Sequence, residues 1–147
     1  MSGPLLQVDS LRVTYGAPGR RVVEAVRGVS FEVLRGRCLG VVGESGSGKS
    51  TLARAVLGLE ERVDGRIEFD GREVRRMGRA ELRAFRRRAQ MVFQDPLGSL
   101  NPRLKAGAAL AEVRRVNGLA KTRAEAEAQA ADWLATVGLD AAYAHRF

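Results

Sequence analysis

The chain has 147 residues, 45% of them hydrophobic and 29% charged, which fits one soluble globular domain with a core of its own. No apolar run approaches the roughly 20 residues of a membrane span, and Met1-Ser2-Gly3-Pro4 lacks the basic and apolar regions of a secretory signal. The one cysteine, Cys38, excludes an intrachain disulfide, so the cytosol is the expected compartment.

The net charge of +8 rests on 22 arginines against 3 lysines, densest at Arg72, Arg75, Arg76, Arg79, Arg83, Arg86, Arg87 and Arg88. Such a cluster invites a nucleic-acid or anionic-membrane reading. Its one aromatic, Phe85, is placed to face a core, which leaves nothing to stack bases, so a solvated surface is the reading preferred here.

In chain order, Leu6, Val8, Leu11, Val13 and Tyr15 predict a strand with a break at Asp9-Ser10. A loop is expected over Gly16-Ala17-Pro18-Gly19-Arg20-Arg21, then a strand in which Val29, Phe31 and Val33 alternate with Ser30, Glu32 and Leu34. Arg35-Gly36 turns the chain into Cys38-Leu39-Gly40-Val41-Val42, an apolar run with the signature of a buried parallel strand.

That run delivers Gly43-Glu44-Ser45-Gly46-Ser47-Gly48-Lys49-Ser50-Thr51, which fills every fixed position of the phosphate-loop pattern G-x-x-x-x-G-K-[ST]. Glycines at 43, 46 and 48 let consecutive backbone N–H groups turn inward as an anion nest. Lys49 supplies a point charge for the β- and γ-phosphates of a nucleoside triphosphate, and Ser50 a hydroxyl for Mg²⁺. A helix dipole adds to the site. The helix is predicted from Leu52, Ala53, Val56 and Leu57, with Gly58 as its cap.

Farther on, Arg66–Phe69, Asp70-Gly71 and Arg72–Val74 read as a hairpin, with Asp70 a turn residue rather than a metal ligand. A short helix over 80–88 turns Leu82 and Phe85 inward. Ala89-Gln90-Met91-Val92-Phe93 is a predicted strand ending at Gln94, where parallel sheets hold their ligands. An irregular loop follows over 95–103. One helix is expected over 106–116, stopping at Asn117-Gly118. Another opens on the capping box Thr122-x-x-Glu125, carries Ala126, Ala130, Trp133, Leu134 and Val137 inward, and stops at Gly138.

Together, Val42 to Thr51, Met91-Val92-Phe93-Gln94-Asp95-Pro96 and Ser99-Leu100-Asn101-Pro102 resemble the ATP-binding subunit of an ABC transporter, nearest the dipeptide and oligopeptide importer branch. Leu97-Gly98 stands where that branch often has Tyr-Ala. The resemblance implies an α/β fold: a P-loop NTPase core with a parallel sheet and helices, an antiparallel β subdomain, and the start of a helical subdomain. Residues 1–96 would form the nucleotide-binding core and 97–147 the beginning of the helical part.

The same resemblance assigns roles. Tyr15 matches the aromatic that stacks on adenine. Gly43, Glu44, Ser45, Gly46, Ser47, Gly48, Lys49, Ser50 and Thr51 match the phosphate loop. Gln94 matches the glutamine that contacts Mg²⁺ and the attacking water. Lys49 and Gln94 are then the candidate catalytic residues, Ser50 and Gln94 the candidate Mg²⁺ ligands, and ATP with Mg²⁺ the bound species. Implied partners are the transmembrane permease subunits and a second ATP-binding subunit, at the cytoplasmic face of the membrane.

The family's serine-glycine-glycine-glutamine signature, its strand ending in aspartate and catalytic glutamate, and its switch histidine do not occur in these residues. His145, the only histidine, lies too early to be the switch. The expectation is therefore an incomplete domain that binds ATP with Mg²⁺ and does not hydrolyse it alone. The rival readings are a non-catalytic interaction module and a nucleotide-dependent nucleic-acid-binding protein using residues 72–88.

Overall fold

The structure is a computed structural model that describes residues 3–16 and 22–147, without the side chains of Pro96 and Leu97. Most of the expected loop over 16–21 lies outside the described residues. The chain divides into two compact units, residues 1–91 and 92–147.

The first unit is an α/β unit built on an antiparallel sheet. Strands β1 (Leu6–Tyr15), β2 (Val23–Val33), β3 (Val63–Phe69) and β4 (Arg72–Glu73) lie in the order β2-β1-β3-β4. The expected break at Asp9-Ser10 is a bulge. Ser10 takes φ 50°, and the register with β2 slips between Val8 and Leu11. Residues three apart normally point to opposite faces of a strand. The extra residue resets the phase, so Val8, Leu11 and Val13 are all buried in one core. Opposite the bulge stands Gly65 at φ 90°, where a Cβ would meet the carbonyl oxygens of Ser10 and Asp9 at 2.5 and 2.6 Å. Strand β2 begins at Val23, well before the predicted Val29, because bulges let it run past Glu24, Arg27 and Gly28, which spoil its alternation.

Helix α1 (Lys49–Val56) closes this core with Leu52 and Ala55. Ala53, expected inward, is exposed; Ala55 takes its place. Gly58 ends the helix at φ 65°, with its N–H on the Ala55 carbonyl and the Leu59 N–H on that of Arg54, a Schellman motif. Asp70 and Gly71, at φ 56° and 74°, make the tight hairpin turn between β3 and β4. Helix α2 (Arg79–Arg88) buries Phe85 edge-on against Phe69, ring centroids 5.1 Å apart. Asp70 ties the hairpin down through Arg35 and Arg88. The Arg88 hydrogen bond is the main reason its carboxyl is held below the usual range, with the Arg35 charge assisting.

Two expected strands do not form. Residues 38–42 and 89–93 join no ladder; Cys38 is exposed rather than buried, and Val42 and Val92 are 93% and 96% exposed. A parallel strand is buried only when strands flank it and helices cover both faces. Among the described residues every strand pairing is antiparallel, so these runs have no partner.

In the second unit a four-residue helix, α3 (Pro96–Ser99), interrupts the expected loop, followed by α4 (Ala106–Val116) and α5 (Arg123–Thr136). Thr122 caps α5 by accepting from the Glu125 N–H at 3.1 Å. Small residues let the helices close: Ala111, Ala126 and Ala130 are buried, and a Cβ on Gly107 would stand 2.9 Å from Ala144. Trp133 packs beneath the Arg114 guanidinium at 4.7 Å. Val137, expected inward, is 70% exposed, because the chain leaves the helix there and Gly138 caps it at φ 76°.

Candidate nucleotide-binding site

The phosphate loop is held from its helix side. Leu52 and Ala55 anchor α1 in the core, and the Leu52 N–H donates to the Gly48 carbonyl at 2.8 Å. Gly48 itself, at φ 92°, lies against β2 so closely that a Cβ would come within 2.3 Å of the Ala25 carbonyl oxygen. Only glycine combines that φ with that approach. At the other end of the loop, the Ser47 N–H donates to the Glu44 carbonyl at 3.2 Å, closing a tight turn, and Gly46 takes φ 80°.

Lys49 folds back across the loop. Its ammonium donates to the carbonyls of Gly43 (2.8 Å) and Glu44 (2.6 Å) and to Ser47 Oγ (3.3 Å). All three donors thus point into the ring that the glycines shape. No side chain caps the start of α1, so the first-turn N–H groups of Lys49, Ser50 and Thr51 remain for an anion. Ser50 is exposed at this terminus. The Tyr15 hydroxyl donates to Thr51 Oγ1 at 3.4 Å, which sets its half-exposed ring beside the first turn of α1.

Beside the loop opens a cleft of about 620 Å³, walled by Val26, Val41, Gly46, Ser47, Lys49 and Leu52. Its volume suits a small-molecule ligand. Its β2 wall was invisible to sequence reasoning, since Val23 to Val29 alternate poorly. So was the Ala25 carbonyl, because a backbone atom has no sequence signal.

The first unit therefore assembles Tyr15 and Gly43 to Thr51. Gln94 is exposed and belongs to the second unit, so it is not among the residues this unit brings together. Among the described residues no three His, Cys, Asp or Glu side chains gather as a metal site. The site can still suit Mg²⁺, which keeps several waters and takes one or two protein oxygens beside the phosphates. The hydroxyl of Ser50 is of that kind.

Residues 26–147 match the ABC transporter family. The chain belongs to that family. It is 41% identical to the oligopeptide transport ATP-binding protein OppF of Bacillus subtilis over 148 residues, all of this chain and 48% of the relative. It is 39% identical to the dipeptide transport ATP-binding protein DppF of Lactococcus lactis, covering 97% of this chain and 48% of the relative. The chain spans about half the length of the curated relatives it matches. The ATP-binding cassette MJ0796, solved as a dimer in a post-hydrolysis state with ADP and Pi, shares the fold at a TM-score of 0.73 and 22% identity, over 96% of this chain and 60% of that one. No described helix is long and apolar enough to cross a membrane.

Proposed function

We propose that this ABC family chain is the nucleotide-binding part of an ATP-binding subunit that energises peptide import. The observation that carries the reading is the curled loop, in which Lys49 spans Gly43, Glu44 and Ser47 at the start of α1. Residues 43–48 wrap the phosphates with backbone N–H groups, as the positive φ angles of Gly46 and Gly48 allow. Lys49 exchanges its loop carbonyls for β- and γ-phosphate oxygens, and the first turn of α1 adds its dipole. Tyr15 offers its ring face to adenine. The Ser50 hydroxyl would hold Mg²⁺, which would neutralise phosphate charge.

Names of the relatives supply the peptide as transported solute. Permease subunits and a second ATP-binding subunit are the partners this reading requires, at the cytoplasmic face of the membrane. Residues 1–96 act as the core and 97–147 as the start of the part that docks on the permease. Taken by themselves, these 147 residues bind nucleotide without appreciable hydrolysis, because the family's strand ending in aspartate and catalytic glutamate, which would position the attacking water, does not occur in them.

The test is titration of the chain with a fluorescent ATP analogue in Mg²⁺. Saturable binding is expected, weakened about ten- to a hundredfold by Lys49→Ala, the worth of lost charge-assisted hydrogen bonds. Equal binding by the variant would sink the reading. Phosphate release that disappears in Lys49→Ala would overturn the claim about hydrolysis.

A further inference from the structure

Residues 72–88 hold eight arginines against two glutamates, so 17 residues carry six of the chain's eight net positive charges. Seven of these arginines, all but Arg87, fall into two groups. Arg72, Arg76 and Arg88 pair with Glu81, Glu73 and Asp70, and Arg75 donates to the Val63 carbonyl. Arg79, Arg83 and Arg86 are exposed and have no acidic partner among the described residues.

Those three are the i, i+4 and i+7 positions of α2, so they form one stripe about 10 Å long. Leu82 and Phe85 turn to the core instead. The arrangement opposes helix stability on two counts. Like charges at these spacings repel, and Arg79 sits in the first turn, the positive end of the helix dipole. Other exposed arginines are paired, as Arg12 with Glu24, Arg54 with Glu60 and Arg123 with Glu127, or stand scattered, as Arg37, Arg103 and Arg115 do, rather than lining one helix face.

We propose that the Arg79–Arg83–Arg86 stripe docks on the anionic headgroups of a lipid bilayer. This rests on the reading that the chain works beside membrane-embedded partners. Charge complementarity fits a surface of fixed negative charges, and the inward turn of Leu82 and Phe85 leaves no apolar wedge for insertion. The contact is electrostatic and reversible, and the segment's only aromatic is buried, which disfavours a base-stacking partner.

The test is sedimentation of the 147-residue chain with phosphatidylcholine vesicles, with and without about a third of phosphatidylglycerol. Binding is expected only to the anionic vesicles, and to fall steeply as salt rises. At about one basic residue's worth of attraction each, Arg79→Gln, Arg83→Gln and Arg86→Gln together lower it on the order of a hundredfold. The matching Arg→Lys triple retains it. Arg37→Gln, Arg103→Gln and Arg115→Gln together remove the same net charge from scattered sites and lower it only a few-fold. Equal loss in the two Gln triples, equal binding to both vesicles, or tighter stripe-dependent binding to duplex DNA at the same salt would each overturn the proposal. Nucleotide binding, measured alongside, stays unchanged in every stripe variant; its absence in the unmodified chain would instead indict the proposed function.

Discussion

Gly48→Ala tests how the phosphate loop is held. The new Cβ would stand 2.3 Å from the Ala25 carbonyl oxygen, where a relaxed carbon–oxygen contact is about 3.3 Å, so loop or strand must shift by about an ångström. Two costs add. A non-glycine residue at φ 92° costs about 1–2 kcal/mol, and overpacking against backbone about 1–3 kcal/mol, for a sum of about 2–5 kcal/mol. Gly46→Ala is the internal control. Its φ is 80°, yet a Cβ there meets nothing within 4 Å, so only the conformational part applies, about 1–2 kcal/mol. Urea unfolding followed by circular dichroism gives both values. The reasoning also requires Gly48→Ala to weaken binding of the ATP analogue at least about tenfold, since the shift moves the first turn of α1. Equal stability losses for the two variants would refute the Ala25 contact. A Gly48→Ala protein with unaltered affinity would refute the claim that this contact sets the loop.

Gly65→Ala places a Cβ against the bulge carbonyls of Ser10 and Asp9 at 2.5–2.6 Å and should destabilise the first unit by about 2–4 kcal/mol, read by the same urea titration. Asp70→Asn should lower stability near neutral pH, because the carboxylate's pKa is depressed by the Arg88 hydrogen bond and the Arg35 charge. A depressed carboxylate contributes stability above its unfolded pKa and loses it as pH falls through the folded one. The gap between parent and variant should therefore narrow on acidification below about pH 4; a gap that does not shrink as pH falls would contradict the assignment.

How much of this was legible beforehand depended on whether a feature is local. The caps at Gly58, Gly118 and Gly138, the Asp70-Gly71 turn and the Thr122 cap were readable because backbone geometry restricts which residues fit within a few positions. Lys49 and its glycines were readable for the same reason, their spacing being set by the phosphates they suit. Strand pairing is not local. The runs at 38–42 and 89–93 are as apolar as buried strands, yet apolarity says nothing of whether a partner lies alongside. Tyr15 was reached through family resemblance alone, for an aromatic ending an alternating strand looks like any other core residue.

The missing ladder at 38–42 also bears on how the site works. A phosphate loop fixed at both ends, by a paired strand and by a helix, owes its shape to the sheet. Here the strand side is exposed up to Val42, so what shapes the loop is α1: its Leu52 and Ala55 anchors, the Gly48 contact with Ala25, and the Tyr15 bond to Thr51. Two of these reach β2 and β1, the strands α1 packs on. Docking of α1 on the sheet and formation of the anion nest are then one equilibrium. Whatever binds the nest must stabilise the docked helix by linkage, so Mg-ATP should raise the unfolding midpoint of the first unit.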